Sequence, residues 1–231
     1  TLSVALGLFI VGYGTNVSTP FLVLYRDRLG LNTNATQLIF VVYVVGILST
    51  LMVAGQLSDR YGRKRLLVAS LALSAVGSLL IVFGRDAFGL LIAGRIVLGI
   101  VSGLGLGVGA AWLQDLLGPG QQAKAALIAT LVTYGGFGAA PPLSVLYEWL
   151  GPSPLVVPFL FHIAITLAVI PAVLKIGETV DVAAAAQNGH WRPAVRFGVP
   201  AAARRQFLWY ISPLAILIFA FPSMAFALFP V

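Results

Sequence analysis

The sequence contains no cysteine, which excludes disulfides and thiolate metal sites. Its two histidines, His162 and His190, are too far apart in the chain to form a metal pair by spacing, so no metal and no cofactor is expected. Charge is scarce. Charged residues are 9% of the chain and hydrophobic ones 59%, against about 25% and about 45–50% in soluble domains. A water-soluble globule is excluded on that ground. The seven acidic residues all fall outside the first six long apolar runs, and no paired carboxylates or histidine cluster stands at catalytic spacing, which argues against an enzyme. The formal charge of +7 resides in short segments between apolar runs rather than along one polar face, so nucleic acid is not the expected partner. No basic leader or small-residue cleavage site marks a signal peptide. The chain opens on Thr1, and its last apolar run ends without a polar tail, as expected of a fragment of something longer.

What is abundant is uninterrupted hydrophobic sequence. A membrane-spanning helix needs about 20 apolar residues. Runs of that kind lie at Leu2–Tyr25, Leu38–Leu57, Leu66–Phe83, Phe88–Leu113, Ala123–Leu146, Leu155–Ile176 and Phe207–Val231. The expected fold class is therefore an all-α, multi-pass membrane protein. The densest polar stretch is Gly55-Gln56-Leu57-Ser58-Asp59-Arg60-Tyr61-Gly62-Arg63-Lys64-Arg65, between the second and third runs. Its four cations favour the cytoplasmic side. Alternating the runs from there leaves ten of the fourteen basic residues inside, Arg26, Arg28 and Arg85 outside, and Arg95 within a span. Charge bias and loop placement thus agree on a cytoplasmic N-terminus.

The spacing in that stretch is itself specific. Gly55, Leu57, Asp59, Arg60, Gly62, Arg63, Lys64 and Leu67 fit G-x-L-x-D-R-x-G-R-K-x-x-L. It resembles the loop between the second and third helices of major facilitator superfamily transporters. The resemblance implies a six-helix N-terminal bundle over 1–176, a cytoplasmic linker over 177–206, and the first helix of a second bundle over 207–231. It also implies that Asp59, Arg60 and Arg63 form a charged gating latch, with Gly55 allowing close helix packing and Gly62 the tight reversal. Asp115, at the same end of the fourth span, is the expected partner. Enforcement of topology alone would explain the cations, but not Asp59 or the glycines.

Further polar groups interrupt the spans. Gly12, Tyr13, Gly14, Thr15, Asn16, Ser18 and Thr19 precede Pro20, a polar and breakable stripe that should face a cavity or pack other helices. Tyr13 and Asn16 are candidates for substrate contact, as is Tyr134. In the fourth span, Arg95, Gly99, Gly103 and Gly107 share one face at a spacing of four. No strand or turn precedes these glycines, so a dinucleotide loop is excluded. Arg95 should find protein or water as a partner, or snorkel to the outer interface; the family's R-x-x-x-G pattern implies proton coupling. In the fifth span Gly136, Pro141 and Pro142 should bend or break the helix; Gly136 and Pro141 fit the drug/proton antiporters' G-x-x-x-G-P pattern, while Ala140 departs from it. His162 is either a second proton-coupling candidate or a packed neutral side chain. Together these features give a secondary transporter of the cell membrane working by alternating access. The expected partners are protons, a small-molecule substrate, the lipid bilayer and the missing C-terminal half, with proton-coupled efflux favoured. An uptake symporter or uniporter, or a non-transporting scaffold, is the alternative.

Overall fold

The computed structural model describes residues 1–151, 153–183 and 204–211. By its internal contacts the chain divides into Thr1–Ala194 and Val195–Val231. In the second unit, one turn of helix at Arg204–Gln206 runs into a wider π-type turn at Phe207–Ile211. The rest of the seventh apolar run, and residues 184–203 of the linker, lie outside the described residues.

The first unit is a helical bundle: α1 Leu2–Asn16, α2 Leu22–Leu29, α3 Thr33–Tyr61, α4 Arg63–Gly84, α5 Phe88–Leu117, α6 Gln122–Leu150 and α7 Val157–Leu174. Five of these, α3 to α7, are long and apolar enough to cross a membrane. The first apolar run is divided. At about 1.5 Å per residue, α1 is only about 22 Å long, and the backbone turns at Val17–Phe21 before α2 begins. Pro20 supplies no N–H and disfavours helical geometry at Thr19. The carbonyls freed by the break find donors nearby: Ser144 Oγ donates to Val17 O at 3.0 Å, and Arg95 Nη1 to Thr15 O at 3.4 Å. A break within a span is tolerated only when its backbone is satisfied in this way.

α6 continues through Pro141 and Pro142 as one helix, so of the two expected outcomes, a bend or a break, the break does not occur.

Burial ranks the helices. The apolar window of α5 is 56% buried, against 22% for α3 and 17% for α6. α5 packs on α4, α3 and α1, while α1 packs on α6, α5, α7 and α4. The polarity is that of a membrane bundle: Ser70, Ser74, Ser78, Ser102 and Thr166 are buried, whereas Leu38, Val41, Val45 and Leu48 of α3 form an exposed stripe at i, i+3, i+7 and i+10. Glycines permit the crossings. A Cβ on Gly12 would lie 2.7 Å from Thr133 O, and one on Gly136 would lie 2.9 Å from Tyr13 N. α1 and α6 therefore approach through glycine on both sides. That close approach is what the structure shows for Gly136.

At the end away from the motif loop, Arg28 of α2 donates through Nη2 to Asp86 Oδ1 at 2.6 Å and through Nε to Arg85 O at 3.0 Å. Arg85 holds the other oxygen of Asp86 at 3.0 Å. Hydrogen bonds from Arg28 and Arg85 keep the Asp86 carboxyl below its ordinary value. A carboxyl depressed by folding contributes stability above its unfolded value and loses it as pH falls through the folded one. The melting temperatures of the wild type and Asp86→Asn should therefore differ at neutral pH and converge once the pH falls below about 4. A gap that persists unchanged into acid would show that the clasp does not depend on that charge.

Candidate functional site: a charged latch and a buried arginine

α3 and α4 are joined by a single residue, Gly62, at φ 92° and ψ 149°. Side chains rarely adopt that backbone. The backbone conformation thus calls for the motif's second glycine, and a Cβ there would in addition displace the carboxylate of Glu178 and lie 3.2 Å from Val182 Cγ2. Its first glycine is not used as expected. A Cβ on Gly55 would meet nothing within 4 Å, so the close packing assigned to Gly55 does not occur among the described residues.

α4 begins Arg63-Lys64-Arg65, three cations at the helix end that favours anions. Glu178, in the segment after α7, resolves the conflict. Its Oε1 accepts from Arg63 N at 2.9 Å and its Oε2 from Lys64 N at 3.0 Å. Oε1 also accepts from Thr179 N and Val180 N. Lys64 Nζ returns a hydrogen bond to Leu174 O at 3.1 Å, placing a cation at the C-terminal end of α7. Glu178 is thereby the missing cap of α4. Sequence reasoning passed over it, although a cationic first turn with no acidic residue of its own is a signal that a carboxylate must come from elsewhere.

Arg63 is the hub. Its Nη1 lies 2.8 Å from Asp59 Oδ1 and its Nε 3.1 Å from Asp115 Oδ2, and Nη1 also donates to Ser58 Oγ. Thr179 Oγ1 donates to the same Asp115 oxygen at 3.0 Å. The Arg63 side chain is 13% exposed, while Asp59 and Asp115 are 68% and 35% exposed. Pairs so open to solvent are each worth about 0–1 kcal/mol. Their significance is therefore geometric: one guanidinium joins the ends of α3, α4 and α5, and Glu178 adds the segment after α7. Arg60 sits 5.7 Å from the ring centroid of its neighbour Tyr61.

Arg95 is buried, at 1% exposure. Snorkelling to the interface is thus not what it does. Its Nη1 donates to Ser18 Oγ at 2.9 Å, and its guanidinium carbon lies 5.5 Å from the ring centroid of Phe40 and 5.3 Å from that of Tyr43. Two aromatic faces and the C-terminal end of α1 offset its charge. His162 is also buried. Its Nδ1 is 2.8 Å from Ser78 Oγ, and its Nε2 is 3.2 Å from Thr166 Oγ1 and 3.5 Å from Ser74 Oγ. A side chain on Gly14 would collide with this ring, so α1 makes room for the imidazole.

The substrate candidates lie on α1 and α6. Tyr13 is buried against Phe161 and His162, at ring-centroid distances of 6.3 and 6.0 Å. Asn16 is half-buried at the end of α1 and accepts from Thr19 Oγ1 at 3.4 Å. Tyr134 is 49% exposed and meets Phe137 edge-on at a ring-centroid distance of 5.9 Å.

The sequence profile of the Major Facilitator Superfamily matches residues 4–231. The chain belongs to that superfamily. Among curated proteins, it is 29% identical over 97 residues to the bacillibactin exporter of Bacillus subtilis, covering 40% of this chain and 24% of the exporter. It is 26% identical over 150 residues to the arabinose-proton symporter of the same organism, covering 62% of this chain and 32% of the symporter. A crystal structure of a double-tryptophan XylE mutant shares the fold, with a TM-score of 0.64 at 15% identity, covering 77% of this chain and 44% of that one. The chain thus spans about a quarter of the length of the first curated relatives it matches. Within the superfamily fold, the Gly62 turn, Arg63 and Asp115 occupy one end of the bundle, and Arg28 and Asp86 the other.

Proposed function

We propose that this chain is the N-terminal bundle of a secondary transporter that works by alternating access, with its small-molecule cavity between this bundle and a second one. The relatives' transport functions support this reading, and their greater length supports the need for a second half. We further propose that the latch end is cytoplasmic and that the protein resides in the cell membrane. Ten inward cations against three outward favour that orientation.

The observation that carries the mechanism is Arg63 bridging Asp59 and Asp115. The tied ends of α3, α4 and α5 present one surface to the second bundle, and their release changes that surface, which is the bistable element that a gate between the two bundles requires. Gly62 and Glu178 position Arg63, and Arg60 adds positive charge beside it. Proton-coupled efflux is the favoured direction, supported by the exporter among the relatives. Arg95 and His162 are the buried basic or acidic side chains among the described residues, so coupling within this bundle is assigned to them. Tyr13, Asn16 and Tyr134 remain the substrate-contact assignments on this bundle.

The test uses the full-length protein in proteoliposomes loaded with a pH-sensitive dye, with ethidium and L-arabinose as transport probes. Antiport requires that a probe gradient drive protons the opposite way. Co-directional proton movement would establish symport, and probe flux without protons would establish a uniporter.

A further inference from the structure

The Arg95 guanidinium is only half used. Nη1 makes both of its hydrogen bonds, to Ser18 Oγ and Thr15 O, while Nε and Nη2 are buried with no partner. These two nitrogens form one edge of the planar group, and their N–H bonds are parallel and spaced to meet the two oxygens of a carboxylate. The guanidinium stays protonated in a protein, so the edge is permanently cationic. No side chain of the bundle answers it. All seven acidic residues sit in the last turn of a helix or in a connection, whereas Arg95 is the eighth residue of α5.

The surroundings have the composition of a ligand site. Phe40 and Tyr43, both half-buried on α3, lay their rings over the guanidinium, 5.5 and 5.3 Å from its carbon. The hydroxyl of Tyr25, also buried and without a partner, lies within electrostatic range of Arg95. If Arg95 served only to satisfy the carbonyl freed at the break in α1, Nη1 alone would suffice.

We propose that the Nε–Nη2 edge of Arg95 binds the carboxylate of an organic-anion solute, with the rings of Phe40 and Tyr43 as a cover that moves aside to admit it. This rests on the transport reading only for the fate of the anion; binding can be measured without flux, so the two fail separately. The experiment treats the full-length protein in detergent with phenylglyoxal, an arginine reagent, and follows the adduct on the Arg95 peptide by mass spectrometry. Formate and benzoate serve as probes, with formamide and benzamide as neutral counterparts. The carboxylates should slow labelling about tenfold at ten times their dissociation constant, and the amides should not. Benzoate should also raise the melting temperature of the wild type but not of Arg95→Lys, which keeps the charge and loses the planar edge. An Arg95 that never labels, equal labelling with carboxylates and amides, or a benzoate shift retained in Arg95→Lys would each overturn the proposal. The labelling arm needs no variant to fold.

Discussion

Exchange of Gly103 for leucine should abolish the folded protein. Gly99, Gly103 and Gly107 of α5 face α3 at intervals of four, and the two backbones meet there. A Cβ on Gly103 would lie 2.6 Å from Ile47 O and 2.9 Å from Leu51 N, and would collide with Thr50 Oγ1. A Cβ on Gly99 would lie 3.1 Å from the Cα of Gly46. These obstacles are mostly backbone, which cannot rotate away as a side chain can. Thr50 also donates across the interface to Ile100 O at 3.2 Å, a bond that is lost once the helices separate. Overpacking a core by added methylenes costs about 1–3 kcal/mol, and leucine adds four carbons where not one fits, so the cost should exceed that range. Size-exclusion profiles and melting curves of the full-length protein in detergent provide the measurement. Gly138→Leu is the control, since nothing lies within 4 Å of that position. A monodisperse Gly103→Leu protein with a wild-type melting temperature would show that α3 and α5 do not depend on this contact.

Features set by local chemistry were legible in the sequence. The spans follow from hydropathy because hydrocarbon tolerates little else, the break before α2 follows from Pro20, and Asn32 caps α3 as its type suggests, accepting from Ala35 N at 2.9 Å. The glycine face of α5 follows from a spacing of four. Long-range geometry was not legible. Glu178 reaches a helix start 115 positions earlier in the chain, and no local pattern encodes that reach. Gly55 fits the motif yet packs on nothing within the bundle, so a motif match did not supply the contact. Pro141 and Pro142 were expected to bend or break α6, and the helix continues through them unbroken. Residue type marks Tyr13, Asn16 and Tyr134 as polar positions without predicting the direction of their side chains.

Arg63→Gln should slow transport by the full-length protein by up to about 30-fold, with membrane insertion unchanged. Glutamine can hydrogen-bond one of the two carboxylates but neutralises neither, so Asp59 and Asp115 are left as like charges at adjoining helix ends. Removing two solvent-exposed pairs shifts the gate by up to about 2 kcal/mol in all, and a shift of that size changes a two-state ratio by about 30-fold. The carboxylates should rank by exposure: Asp59→Asn, at 68% exposed, has the smaller effect, and Asp115→Asn, at 35% and also held by Thr179, the larger. Initial rates in proteoliposomes, normalised to inserted protein, test the order. A double-mutant cycle between Arg63→Gln and Asp115→Asn separates a direct pair from two independent effects. If Arg63→Gln transports at the wild-type rate while inserting normally, the cations serve topology alone. Glu178→Gln then discriminates further, because it removes the charge that caps α4 without touching any cation that sets orientation. Slowed transport in that variant can arise only from the geometry at Gly62 and Arg63, which is where the gate has been placed.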